Sequence, residues 1–100
     1  MIYVVAVIEI APGQRDAFLA LQKELLPLVR AEAGCIEYLP TVDVAFDPKR
    51  PPRADCVVMQ EKWESLPHLK AHSVAPHMKA FREKAGHLMH GVKIEVFEAV

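Results

Sequence analysis

The sequence predicts an α+β fold of the ferredoxin-like βαββαβ type, a four-stranded antiparallel sheet carrying helices on one face. Ile2 to Ile10 (IYVVAVIEI) is an apolar run rich in β-branched residues and closed by Pro12-Gly13, the length and composition of a strand. Two stretches with apolar residues at helical spacing, one after that strand and one after Trp63, flank two further strand patterns. One hundred residues without repeat, low-complexity segment or linker make a single domain, residues 1–100.

Each element follows from local chemistry. The first strand shows no apolar–polar alternation, so burial is expected on both of its faces. Residues 14–32 place Phe18, Leu21, Leu25 and Leu28 along one helix face. Pro27 inside that pattern withholds one backbone N–H, and Gly34 is positioned to end the helix. Residues 35–46 read as a second strand, in which Pro40 favours an edge position or a bulge. Residues 47–54 hold three prolines and read as a loop. Residues 55–64 form the third strand, ending in the only tryptophan, Trp63. Ser65 is placed to cap a short helix to about Ala71, with Pro67 in its first turn. Pro76 opens another helix with Met78, Phe81, Ala85 and Leu88 on one face and Gly91 at its end. Val92, Ile94 and Val96 then alternate along a last strand, residues 92–100.

Pairing the two middle strands as a hairpin sets partners whose numbers sum to about 99. Tyr38 then faces Glu61 and Ile36 faces Trp63, all on one side of the sheet. The same register separates Cys35 from Cys56 by about seven ladder positions, roughly 23 Å along the strands. A disulfide needs Cα atoms within about 7 Å, so reduced thiols are expected, in keeping with a cytoplasmic setting.

Composition adds a constraint on assembly. The apolar fraction of 52% exceeds the usual share of about 45–50%. Helices on one face leave the doubly apolar first strand uncovered on the other. A second copy of the chain is the simplest cover, which predicts a homodimer joined through the sheet face. The net charge of −1 comes without long charged runs, so neither nucleic acid nor a membrane surface is an expected partner. Lys49-Arg50-Pro51-Pro52-Arg53 reads as a solvated loop. No leader pattern and no apolar run of membrane-spanning length is visible, and a cytoplasmic protein is expected.

Chemistry gathers at one strand-to-helix corner. Glu61-Lys62-Trp63-Glu64-Ser65 runs into a helix carrying His68 and His72, and Pro76-His77 opens the next. Trp63 is either a core residue with a satisfied N–H or the wall of a pocket for a flat ring. His72 is either a helix-end residue favoured by the dipole or a proton acceptor working near neutral pH. His77 stands in a first helical turn, where the dipole favours the neutral imidazole. Tyr38 and Glu61 bring polar groups to the face of Trp63, or form a solvated cross-strand pair. His68 and His72 have the i, i+4 spacing of a metal-binding pair, but no third ligand is evident and no metal is assigned. His87 and His90 read as water-facing. Phosphate-binding glycine loops, Cys-x-x-Cys and Gly-x-Ser-x-Gly are absent, so nucleotide cofactors and serine-hydrolase chemistry have no support.

Ala33-Gly34-Cys35-Ile36-Glu37-Tyr38, Glu61-Lys62-Trp63-Glu64-Ser65 and Ala71-His72 followed by Pro76-His77-Met78-Lys79-Ala80-Phe81 together resemble the antibiotic biosynthesis monooxygenase domain family, over nearly the whole chain. The resemblance implies a dimeric α+β barrel and cofactor-free oxygenation of a quinol-like or polycyclic aromatic, without metal or flavin. It also implies His72 as the base and Trp63, His77, Tyr38, Glu61 and Phe81 as substrate-binding residues. Haem-degrading relatives use a Trp and a helical His, which Trp63 and His72 resemble, but their Asn on the first strand has no counterpart in Ile2 to Ile10. A haem-binding dimer and a non-catalytic small-molecule-binding dimer are the alternatives.

Overall fold

A computed structural model describes residues 1–100. Strand β1 (Ile2–Ile10) leads to helix α1 (Arg15–Arg30), then strands β2 (Cys35–Thr41) and β3 (Cys56–Trp63). Helices α2 (Leu66–Ser73) and α3 (Pro76–Ala85) follow, then a 3₁₀ turn at Gly86–Leu88 and strand β4 (Met89–Glu98). The four strands form one antiparallel sheet in the order β2-β3-β1-β4. This is the expected βαββαβ ferredoxin-like arrangement, with α2 and α3 dividing the second helical stretch.

The helices cover one face of the sheet. Ile2, Val4, Ala6, Ile8 and Ile10 of β1 point into that layer, beside Val57, Met59 and Trp63 of β3. Phe18 of α1 meets Phe81 of α3 edge to face at 5.8 Å between ring centres, locking the two helices over the sheet. The other face of β1 is only partly covered within one chain. Val5 and Val7 are half-buried, and Tyr3 is exposed.

Four details depart from the sequence expectations. The buried stripe of α1 is Phe18, Gln22, Leu25 and Val29, not Phe18, Leu21, Leu25 and Leu28; Leu28 faces out and Gln22 takes a core position. Strand β2 stops at Thr41, leaving Val44 and Phe46 unpaired and strongly exposed. A bulge between Cys35 and Glu37 sets Cys35 rather than Ile36 opposite Trp63, and Ile36 turns outward. Gly91 lies inside β4, which begins earlier than expected because the 3₁₀ turn has already ended the helical run. The Tyr38–Glu61 pairing is as expected, and Pro40 sits on an edge strand where its missing N–H is harmless. Cys35 and Cys56 are both free thiols, and burial pushes both pKa values up.

Gly34 fixes how α2 meets the rest. Its φ of +78° is a left-handed conformation, and its carbonyl accepts from Glu64 N–H at 2.9 Å. A Cβ there would collide with the His68 ring. That ring has little freedom to yield, since its Nδ1 is 2.7 Å from Ser65 Oγ at the cap of α2. Gly34→Ala combines backbone strain with this clash and is expected to lower stability by about 2 kcal/mol or more. Urea unfolding of the purified variant checks this, and an unchanged midpoint contradicts it.

Candidate active site

Between the helices and the sheet lies a cavity of about 420 Å³, within the range of small-molecule sites. Tyr38, Glu61 and His72 line it together with Gln22 and with Leu69, Met78 and Phe81 from the helices. The sheet register gives it two ends. Tyr38 on β2 and Glu61 on β3 occupy one row, which continues through Val4 on β1 to Val96 on β4. Polar groups therefore cluster under β2 and β3, while Val4, Ala6, Ile8, Val92 and Ile94 make an apolar wall under β1 and β4.

His72 is buried in the last turn of α2, and its Nδ1 lies 2.8 Å from Glu32 Oε2. The same Glu32 oxygen lies 2.8 Å from His77 Nε2 on α3. A carboxylate only accepts, so Nδ1 of His72 carries a hydrogen, and Nε2 has no protein partner. The base that the sequence suggests is thus held in one tautomer by a residue that the sequence does not mark.

Trp63 stands behind the cavity wall and does not line it. It is fully buried, its ring centre 4.7 Å from that of His72 in a tilted stack. Its indole N–H donates to Glu61 Oε1 at 3.0 Å. Glu61 and His72, two of the polar groups facing the cavity, are thereby braced by one rigid aromatic. His77 is likewise outside the cavity, bordering a shallow groove between α1 and α3 and reaching His72 only through Glu32. Phe81 lines the cavity while packing on Phe18.

Burial sets the protonation of the polar end. It pushes the Glu61 carboxyl above its ordinary value, against the Trp63 hydrogen bond and the nearby His72, which act in the opposite direction. Burial, reinforced by the charge of Glu61, also raises the Tyr38 phenol, while a hydrogen bond from the Gln22 amide opposes this. Tyr38 is therefore a neutral hydroxyl at working pH, a hydrogen-bonding group rather than a base.

His68 and His72, which have the spacing of a metal-binding pair, are separated in use, since His68 engages Ser65 while His72 engages Glu32. The cluster with ligand geometry is instead Glu32, His72 and His77, whose donor atoms lie within 4.8 Å of one another. Two hydrogen bonds through Glu32 already occupy these atoms. The long loop after β2 is clamped by Arg53 on Asp43 at 2.8 Å and shares no lining residue with the cavity.

Two members of the site were not foreseen. Glu32 lies beyond the end of α1, forty residues from His72, and no spacing rule joins them. Gln22 had a usable signal, because it stands four residues after Phe18 on the stripe that the helix buries.

A two-layer α+β domain with a half-open, largely apolar cavity and a carboxylate-oriented histidine on its wall is the class that this geometry defines. The chain belongs to the antibiotic biosynthesis monooxygenase family, whose model matches residues 1–84. The family supports a monooxygenase-type function. A curated relative, "Probable quinol monooxygenase YgiN" of Escherichia coli strain K12, is 44% identical over 89 residues, covering 83% of each chain. Among solved structures, PA3566 from Pseudomonas aeruginosa is 26% identical with a TM-score of 0.82, covering 99% of this chain and 93% of that one. A Caulobacter crescentus structure carrying the same family name is 27% identical with a TM-score of 0.85, covering 99% and 89%.

The raised Glu61 carboxyl has a thermodynamic consequence. A carboxyl whose pKa rises on folding contributes no penalty below its unfolded value, near 4.5, and destabilises the fold as pH climbs through its folded value. Glu61→Gln keeps an acceptor for the Trp63 N–H but removes the ionisation. Its stability, followed by urea unfolding between pH 4 and 8, is expected to fall less with rising pH than that of the parent. Parallel profiles contradict this.

Proposed function

We propose that the chain is a cofactor-independent monooxygenase that oxidises a quinol-like or polycyclic aromatic with dioxygen, His72 serving as the base. The observation that carries the reading is the Glu32–His72 pair, which leaves an unpartnered Nε2 on the wall of an apolar cavity. Family membership and the printed name of the E. coli relative support the same chemistry.

The residues present suffice for the steps. His72 Nε2 takes a hydroxyl proton from the ring, and the resulting imidazolium is stabilised by Glu32. The electron-rich phenolate passes one electron to dioxygen, and the two radicals combine as a peroxide on the ring carbon beside the phenolate. His72 returns its proton to the outer peroxide oxygen. Loss of the ring hydrogen at that carbon then breaks the O–O bond, releasing water and leaving a new carbonyl. For a simple quinol the sum is quinol plus O2 giving hydroxyquinone plus water, with the ring supplying all four electrons. The apolar wall keeps bulk water from the peroxide, and Trp63 holds His72 and Glu61 in place.

A homodimer through the open sheet face belongs to the same proposal. Tyr3, Val5 and Val7 of β1, Val58 of β3, Leu39 of β2 and Phe97 of β4 share that face and form an apolar band. Glu37 on β2 and Lys93 and Glu95 on β4 flank it from the edge strands, as charged residues flank the rim of an interface, while Gln60 and Lys62 of β3 lie within it. Sedimentation at micromolar concentration is expected to give twice the mass of the 11.2 kDa chain, and Val5→Glu is expected to give single chains. A parent protein that sediments as a stable single chain removes the dimer from the proposal.

Oxygen uptake with a quinol by metal-free protein is the direct test of activity. His72→Ala is expected to lower kcat by about 10²–10⁴-fold, the usual share of a general base. Glu32→Gln, which removes the charge that supports the imidazolium, is expected to cost about tenfold or more. Normal uptake by folded His72→Ala protein overturns the assigned base. Titration with hemin separates the haem alternative, since a Soret shift at stoichiometric protein supports it.

A further inference from the structure

One polar group lining the cavity is left over by the reaction just described. Gln22 is 1% exposed, its side chain lines the cavity, and its Oε1 is buried without any hydrogen-bond partner. The Gln22 side chain also acts on the neighbouring Tyr38 phenol, drawing its pKa down against the effect of burial. Two nearby donors are committed elsewhere: the Trp63 indole N–H goes to Glu61 and the Nδ1 of His72 goes to Glu32. A lone buried acceptor costs stability unless something supplies a donor. In a cavity that accepts ligands, the ligand is the economical source.

We propose that Gln22 is a specificity-determining residue whose Oε1 accepts a hydrogen bond from a hydroxyl of the bound aromatic, so that the site selects the reduced, hydroxylated ring over its oxidised or alkylated forms. Gln22 lines the cavity from α1, together with Tyr38 and Glu61 of the sheet and His72 of α2. A ring whose body lies against Val92 and Ile94 presents its hydroxyl edge to these groups. A hydroxyl there satisfies Oε1. Once the ring is oxidised, the same oxygen is a carbonyl, and two acceptors then face each other. Substrate is held and product is released by one unchanged side chain. A methyl ether likewise has no hydrogen to give. The class of ligand rests on the proposed quinol chemistry, but the selection itself is a binding property and needs no turnover.

Anaerobic calorimetric titration with naphthalene-1,4-diol, its dimethyl ether and 1,4-naphthoquinone tests this. The parent protein is expected to bind the diol at least about tenfold more tightly than either of the other two. In Gln22→Met, which is close in shape and has no acceptor amide, the three affinities are expected to converge to within about threefold, with ether and quinone binding held or improved. Gln22→Leu is a second apolar variant should the first fail to fold. Equal binding of all three probes by the parent overturns the proposal, and so does an undiminished diol preference in either folded variant. If the preference behaves as expected while no oxygen is consumed, the oxygenase reading falls and Gln22 keeps its role.

Discussion

One carboxylate holds the site together. Glu32 Oε2 takes hydrogen bonds from His72 on α2 and His77 on α3, so a single atom after α1 anchors both later helices. Helix α2 is only eight residues long, too short to persist without tertiary support. Its placement comes from three fixed points: the Ser65 cap, the His68 ring against Gly34, and His72 stacked on Trp63 and bonded to Glu32. These points also decide which ring nitrogen of His72 is free. Fold and chemistry thus meet in the same contacts, and loosening the bridge disturbs helix position and tautomer together.

The sheet imposes the second constraint. Helices cover β2, β3 and β1, but β4 lies beyond their reach, so Val92, Ile94 and Val96 remain open although they point to the helix side. The cavity lies along this overhang, its apolar wall including Val92 and Ile94 of the uncovered strand. The reverse face of β1 is also incompletely covered. Both uncovered surfaces carry apolar residues.

The fold was legible because strand and helix periods are local properties. The β1 run, the Ser65 cap and the Tyr38–Glu61 register each follow from residues close in sequence or from one hairpin. The site was legible only in part. Tyr38, Glu61, His72 and Phe81 do line one cavity, and their types in strand and helix positions pointed there. Trp63 and His77 were drawn to the same corner but stand one layer behind it, because sequence gives proximity and not the direction in which a side chain points. Glu32 was invisible for a different reason. Its partners lie forty and forty-five residues away, and only the closed tertiary structure brings them within 2.8 Å. The bulge at Cys35–Glu37 shows the same limit at small scale, since one extra residue turned Ile36 outward without altering the register beyond it.

The polar end of the cavity works against the stability of the empty protein. Glu61 is a carboxyl pushed toward its neutral form by burial, and Gln22 Oε1 is an acceptor without a donor. An apolar residue at position 22 would suit the stripe of Phe18, Leu25 and Val29 better than an amide does. Such local conflicts between sequence and core mark sites where a chain gives up stability for function. Here the two conflicts are not scattered: they share one end of one cavity with the only buried histidine, His72. Their coincidence is hard to account for by packing alone, and it follows directly if that end receives a polar ring edge.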